Sequence, residues 1–162
     1  MRKTYAHVPG VDVFHFISTW RLPAPPERVW REMADVESWP RWWPGCTEST
    51  VISAGSPDGL GRHGRLVVRS PLGFALRFEM EIVMARRPHE ARVRVGGDLV
   101  GSGNWRMRDV DSGALADIGW DVDIAHPGLR LASVPLRRPM IWAHYRVMGA
   151  GERGLATRLH VG

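Results

Sequence analysis

One cysteine, Cys46, and one lysine, Lys3, are all that the 162 residues contain of either type. A lone thiol excludes an internal disulfide and any thiolate cluster for zinc or iron–sulfur. The seven histidines include no i, i+3 or i+4 pair, so the local zinc motifs are missing too, and neither a metal nor a cofactor is expected. No apolar run approaches the roughly 20 residues that a spanning helix requires, and Met1 to Gly10 lacks the apolar centre of a signal peptide. Stable membrane insertion is therefore not expected, and a cytoplasmic location is.

With lysine nearly absent, 21 arginines carry the net charge of +5. They are dispersed, and most alternate with apolar residues in strand-like segments, which reads as a solvated sheet face; no nucleic-acid partner is expected. A hydrophobic content of 44% and a charged content of 24% suit a folded globular chain. Its length suits one domain over residues 1–162, with residues 1–10 as a flexible lead, in a monomer or homodimer.

Phe14, Phe16, Ser18, Trp20 and Leu22 alternate with His15, Ile17, Thr19 and Arg21, the pattern of a first strand with a bulky face. Pro25 and Pro26 pre-set the first turn of a helix, Glu27 suits its N-terminus, and Val29, Trp30 and Met33 give it an apolar stripe. Trp39, Trp42 and Trp43, interrupted by Pro40, Pro44 and Gly45, fall on a short second helix or its exit. From Thr47 to Ala125 the period is two, broken by turn clusters that delimit about six further strands. The clearest sets Phe74, Leu76, Phe78, Met80, Ile82 and Met84 on one face. One apolar and one charged face are the mark of an antiparallel meander with one side in water.

Beyond Pro127 the period becomes helical. Val134, Ile141, His144, Met148, Gly151, Leu155 and Leu159 describe one face of a long terminal helix, preceded by a short helical piece and a kink, with the main helix starting near Pro139. Gly149, Gly151 and Gly154 each cost such a helix up to about 1 kcal/mol, so close backbone approach or bending is expected there.

The segment Leu22-Pro23-Ala24-Pro25-Pro26-Glu27-Arg28-Val29-Trp30, followed by Asp35 and by Trp39-Pro40-Arg41-Trp42-Trp43-Pro44-Gly45, resembles the opening of the START-like, or SRPBCC, superfamily of polyketide cyclases/dehydrases and lipid-transport proteins. The Ser70-Pro71-Leu72-Gly73 hairpin, the Gly97-Asp98-Leu99 turn leading to Gly101-Ser102-Gly103-Asn104-Trp105, and a terminal helix carrying His144 and Met148 extend the likeness over nearly the whole chain. The resemblance implies an α+β helix-grip fold: a seven-stranded curved antiparallel sheet wrapped on a long C-terminal helix, with two short helices between strands 1 and 2. It also implies a cavity between sheet and helix. The residue pattern agrees, because two apolar faces must bury each other.

Candidates to face that cavity are Ser18, Trp20, Trp42, Trp43, Phe78, Met80, Trp105, Trp120, Ile141, His144 and Met148. His144, mid-helix on an apolar face, is a polar handle or a proton-transfer group, with Ser18 as a hydrogen-bond partner, or else a paired core histidine. The indoles suit flat ligands and also fill cores. Gly101 and Gly103 on an inward face either leave room for a ligand or admit the helix closely. Gly59, Gly61 and Gly64 match a dinucleotide spacing but precede a strand, and are read as a turn, as is Asp98. No Gly-x-Ser-x-Gly elbow points to a hydrolase.

Three readings of function follow. The first is a binding protein for a hydrophobic small molecule, whether lipid, quinone or aromatic polyketide. In the second a cofactor-free polyketide cyclase or dehydratase uses His144 for proton transfer. The third is a co-chaperone-like module with a filled core and an exposed patch at Trp39 to Trp43. A cavity above about 300 Å³ with His144 on its wall is expected of the first two.

Overall fold

The computed structural model describes residues 14–162; Met1 to Gly10, expected as a flexible lead, lie outside the described residues. Alternation from Phe14 onward makes β1 (Phe14–Leu22), which buries Phe14, Phe16, Trp20 and Leu22 and exposes His15, Ile17, Thr19 and Arg21. Pro26 then opens α1 (Pro26–Ala34), where its missing N–H breaks no bond, and Val29 and Trp30 pin the helix to the core. A single 3₁₀ turn, Val36–Ser38, leads into α2 (Trp39–Trp42).

The remaining strands are β2 (Cys46–Ser53), β3 (His63–Arg69), β4 (Ala75–Arg86), β5 (Glu90–Gly97), β6 (Leu99–Val110) and β7 (Gly113–Ile124). They form one antiparallel sheet in the order β1-β7-β6-β5-β4-β3-β2, a meander to which β1 is added beside the last strand. Two helices follow, α3 (Pro127–Ser133) and the long α4 (Arg137–Val161). Pro139 falls in the first turn of α4, where proline is tolerated. The fold is the expected helix grip.

The outer face carries the arginines. Arg65 meets Glu79 at 2.9 Å and Arg94 meets Glu81 at 3.3 Å, each across neighbouring strands, while Glu90 gathers Arg86, Arg92 and Arg106. Exposed pairs of this kind are worth about 0–1 kcal/mol each, enough to favour register without demanding a partner for the charge.

Two details depart from the expected pattern. A bulge between Ile82 and Met84 reverses the parity of β4: Met84 pairs with exposed Arg92, and Ala85, beside Ala91, takes the core side. Val134, expected on the buried helix face, lies in the connection between α3 and α4 and is exposed. The chain turns there, so the α4 periodicity does not extend back to it.

The α4 glycines have a spatial cause. A Cβ on Gly151 would stand 2.5 Å from the Trp43 indole, and one on Gly154 would overlap the Trp42 carbonyl oxygen. At Gly149 the nearest atom is the mobile end of Arg153, 3.4 Å away. The backbone of α4 thus rests directly on Trp42–Trp43, and the Trp43 Nε1–H donates to the Val147 carbonyl at 2.9 Å. Gly149→Ala is expected to stabilise the protein by up to about 1 kcal/mol through helix propensity. Gly151→Ala and Gly154→Ala should destabilise by about 1–3 kcal/mol in spite of the same gain, since both overpack the contact. Urea denaturation of the three variants checks this; equal effects at all three positions would refute the close-approach account.

Candidate functional site

The core is in two parts. The larger surrounds Trp20, Trp43, Trp105, Ile118 and Leu155 and reaches α1 and α2; the smaller comprises Phe14, Phe16, Val122, Ile124 and Met140. Between them is a cavity of about 150 Å³. Its walls come from the N-terminal ends of β1, β2, β4 and β6, the C-terminal ends of β3 and β7, α2 with its exit at Trp43, and the N-terminal half of α4. Apart from Ser70, Cys46 and His144 the lining is aliphatic, thioether or aromatic.

Position along each strand decides which inward residues reach this space. On β7 the wall takes Trp120, Val122 and Ile124, whereas Ala114, Ala116 and Ile118 belong to the solid core. Trp43, Phe78, Met80, Trp120, His144 and Met148 line the cavity. Trp20 and Trp105, also inward, pack edge to face with ring centroids 6.0 Å apart at the filled end, and Trp20 packs on Trp43 at 5.3 Å. Trp42 is buried elsewhere, beneath Gly154, with its Nε1–H donating to the Ser38 hydroxyl at 3.3 Å. Ile141 packs beside the Phe14 cluster without lining the space, because the neighbouring Met140 and, one turn on, Ala143 point into it. Ser18 faces inward but is likewise absent from the walls.

Trp39, Trp42 and Trp43 are all buried, so the exposed tryptophan patch required by a co-chaperone-like reading is not there. At Gly103 the space above the backbone is taken by neither helix nor void: the Trp120 ring and Val93 would each be 2.9 Å from an added Cβ. Asp98 is a turn residue whose carboxylate accepts from the Arg77 N–H at 2.8 Å, and Gly59 and Gly61 have the positive φ of a turn.

Wall residues that the sequence reading passed over include Cys46, Val122, Ile124, Met140, Ala143 and Val147. The helical three had a signal: positions 140, 143, 144, 147 and 148 follow the i, i+3, i+4 rule, which selects Met140 over Ile141 once the turn before α4 is placed.

Among the described residues His144 is the one ionisable base on the wall. Its ring stacks on Phe16 with centroids 3.7 Å apart and planes 11° from parallel, and Tyr145 packs edge-on at 5.4 Å. Its Nε2 is buried without a hydrogen-bond partner among the described residues. The Ser18 hydroxyl is also without one, so the pairing expected between the two is not made. Burial lowers the imidazole pKa to about 4, leaving the ring neutral at pH 7. Burial also pushes the Cys46 thiol up to about 11, so it is protonated and a poor nucleophile. Among the described residues the arrangement provides one wall imidazole with an unpartnered nitrogen beside an apolar space, and no wall carboxylate to orient or charge it.

No helix of the described residues is long and apolar enough to cross a membrane. No curated protein matches the chain. Among solved structures, the protein TTHA0849 from Thermus thermophilus is similar with a TM-score of 0.74 at 19% identity, covering 93% of this chain and 98% of that one. A START superfamily protein from Mycobacterium smegmatis gives 0.70 at 15% identity, covering 91% and 97%. The Zhui aromatase/cyclase from Streptomyces sp. R1128 gives 0.69 at 16%, covering 92% and 94%. At such identities these likenesses establish the fold alone. The family model for polyketide cyclase/dehydrase and lipid transport matches residues 13–160. With that model accounting for nearly all of its length, the chain belongs to the polyketide cyclase/dehydrase and lipid transport family.

Proposed function

We propose that the protein binds a small apolar molecule, with one ring and one hydrogen-bonding group, in the cavity between sheet and α4. The observation that carries this reading is the unpartnered His144 Nε2 on the wall of a space that is otherwise apolar. An unpaired buried polar atom costs about 1–3 kcal/mol, and a guest offering a hydroxyl or carbonyl would recover it. The volume sets the size. At about 150 Å³ the cavity is half the expected threshold, and a protein cavity of about that size holds benzene. A folded poly-β-ketone or a lipid chain is larger than this space.

A second reading, cyclase or dehydratase, draws on the family to which the chain belongs and on the same nitrogen. A neutral imidazole in a dry site can take a proton from one carbon or oxygen and return it to another, while the aromatic wall holds the substrate in a reactive fold. In that case His144→Ala abolishes turnover of a suitable poly-β-ketone and leaves its binding intact; unchanged product formation would remove His144 from catalysis.

Binding is tested with p-cresol and toluene, which differ by one hydroxyl. Calorimetric titration should show p-cresol binding about 5- to 10-fold more tightly, the worth of one net hydrogen bond, and His144→Phe should erase that preference. Equal affinities in the native protein, or no binding of either, would discard the reading. Native mass spectrometry of freshly purified protein should reveal a retained guest of this kind.

The neutral state of His144 has a thermodynamic signature. Its folded pKa of about 4 lies below the ordinary value of 6.5, so between those two values the unfolded chain takes up a proton that the native state refuses. Stability is therefore lost as pH falls from about 6.5 to about 4, by about 3 kcal/mol in all, and this group adds no slope above that range. His144→Gln removes the ionisation. Its urea stability should fall less steeply than that of the native protein across this window, and parallel pH profiles would show that the imidazole is not buried neutral.

A further inference from the structure

From Ile124 to Gly151 the chain has four arginines and no acidic residue. The same stretch exposes large apolar side chains: Leu131 is 84% exposed, Val134 75%, Trp142 52% and Tyr145 44%. No residue of α3 is buried, although the helix is rich in leucine. On α4 the positions 138, 142, 145 and 146 share one face by helical spacing, opposite the 140, 143, 144 and 147 positions that form the cavity wall. The Arg146 guanidinium lies 5.6 Å from the centre of the Trp142 ring. Arg130, Arg138 and Arg146 enter no ion pair among the described residues, unlike most arginines of the sheet's outer face. Toward the end of β7, Asp121 is engaged with His15 at 2.5 Å and Asp123 accepts from the Ile124 N–H at 2.8 Å.

We infer that α3 and the outer face of the first turns of α4 dock on an anionic lipid surface. The charge requires a negative partner. The apolar content requires one that also accepts aliphatic side chains standing well clear of the backbone. Leu131 on α3 and Val134 just beyond it are exposed enough to enter a deformable apolar layer, while Trp142 and Tyr145 suit the headgroup level and the arginines the phosphates above it. Docking of this kind lays the helix in the interface and needs no spanning segment. It brings the cavity to the bilayer, since the opposite face of α4 is the cavity wall and Leu129 of α3 packs on the Phe14 cluster beside it. An apolar guest, if the proposed function holds, would then have a short path between bilayer and cavity. The docking itself is independent of any guest.

The test is co-sedimentation of the full chain with vesicles of equal parts phosphatidylglycerol and phosphatidylcholine, against vesicles of phosphatidylcholine alone. The protein should sediment with the first and not the second, and release as salt rises from about 0.15 M to 1 M, where the screening length falls from about 8 Å to 3 Å. Arg138→Gln with Arg146→Gln should weaken binding about 25-fold, about fivefold for each arginine. Leu131→Ser with Val134→Ser should weaken it about tenfold or more through lost apolar contact. Arg41→Gln with Arg108→Gln, an equal loss of charge elsewhere, should change it less than about twofold. These side chains are exposed, and melting temperatures should confirm that all variants fold. Failure to sediment with anionic vesicles would overturn the proposal. So would equal losses in the two arginine pairs, which would reduce the effect to net charge. Binding to polyglutamate without binding to vesicles, lost on removal of Arg138 and Arg146, would give the face to an acidic protein and overturn it as well.

Discussion

The seat of α4 on Trp42–Trp43 is the constraint from which the rest follows. Two missing side chains, at Gly151 and Gly154, let the helix backbone reach the indole of Trp43 and the carbonyl of Trp42, and the Trp43 N–H closes the contact on the Val147 carbonyl. Its C-terminal half buries Leu155 and Leu159, and its N-terminal half supplies Met140, Ala143, His144, Val147 and Met148 to the cavity wall. The cavity therefore lies under the part of the helix that precedes this contact.

That geometry accounts for the chemistry of the wall. The residues there come from sheet and helix faces that elsewhere form core, so they are mostly apolar, and one imidazole among them has a nitrogen without a partner among the described residues. Neutrality follows from the same burial that forms the space. A buried polar atom without a partner costs free energy, and Trp20 Nε1 and Trp105 Nε1 in the filled core carry the same cost among the described residues.

Much of the architecture was legible in the sequence. Alternation through most of Thr47 to Ala125, with charges on alternate positions, is the pattern of a one-sided antiparallel sheet, and the change of period after Pro127 gives the closing helix. The proline and tryptophan run between residues 22 and 45 carried the family resemblance, and the match over residues 13–160 establishes it. Local exceptions were not legible. The bulge after Ile82 inserts one residue without a glycine to announce it, and the reversal of Met84 and Ala85 depends on pairing with β5. Val134 fitted a helical period that the turn at Leu136 interrupts.

The sequence by itself determined which side chains face inward wherever no bulge or turn interrupts the element, because those positions follow periods of 2 and 3.6. Only the tertiary structure decided which of those inward residues enclose a space. Trp20, Trp105 and Trp120 have the same kind of residue in the same kind of strand position, yet two fill the core and one walls the cavity. The physical reason is that a void is a property of the distance between elements. That distance is set here by a helix resting on two tryptophans far from it in the chain, and no local pattern records it.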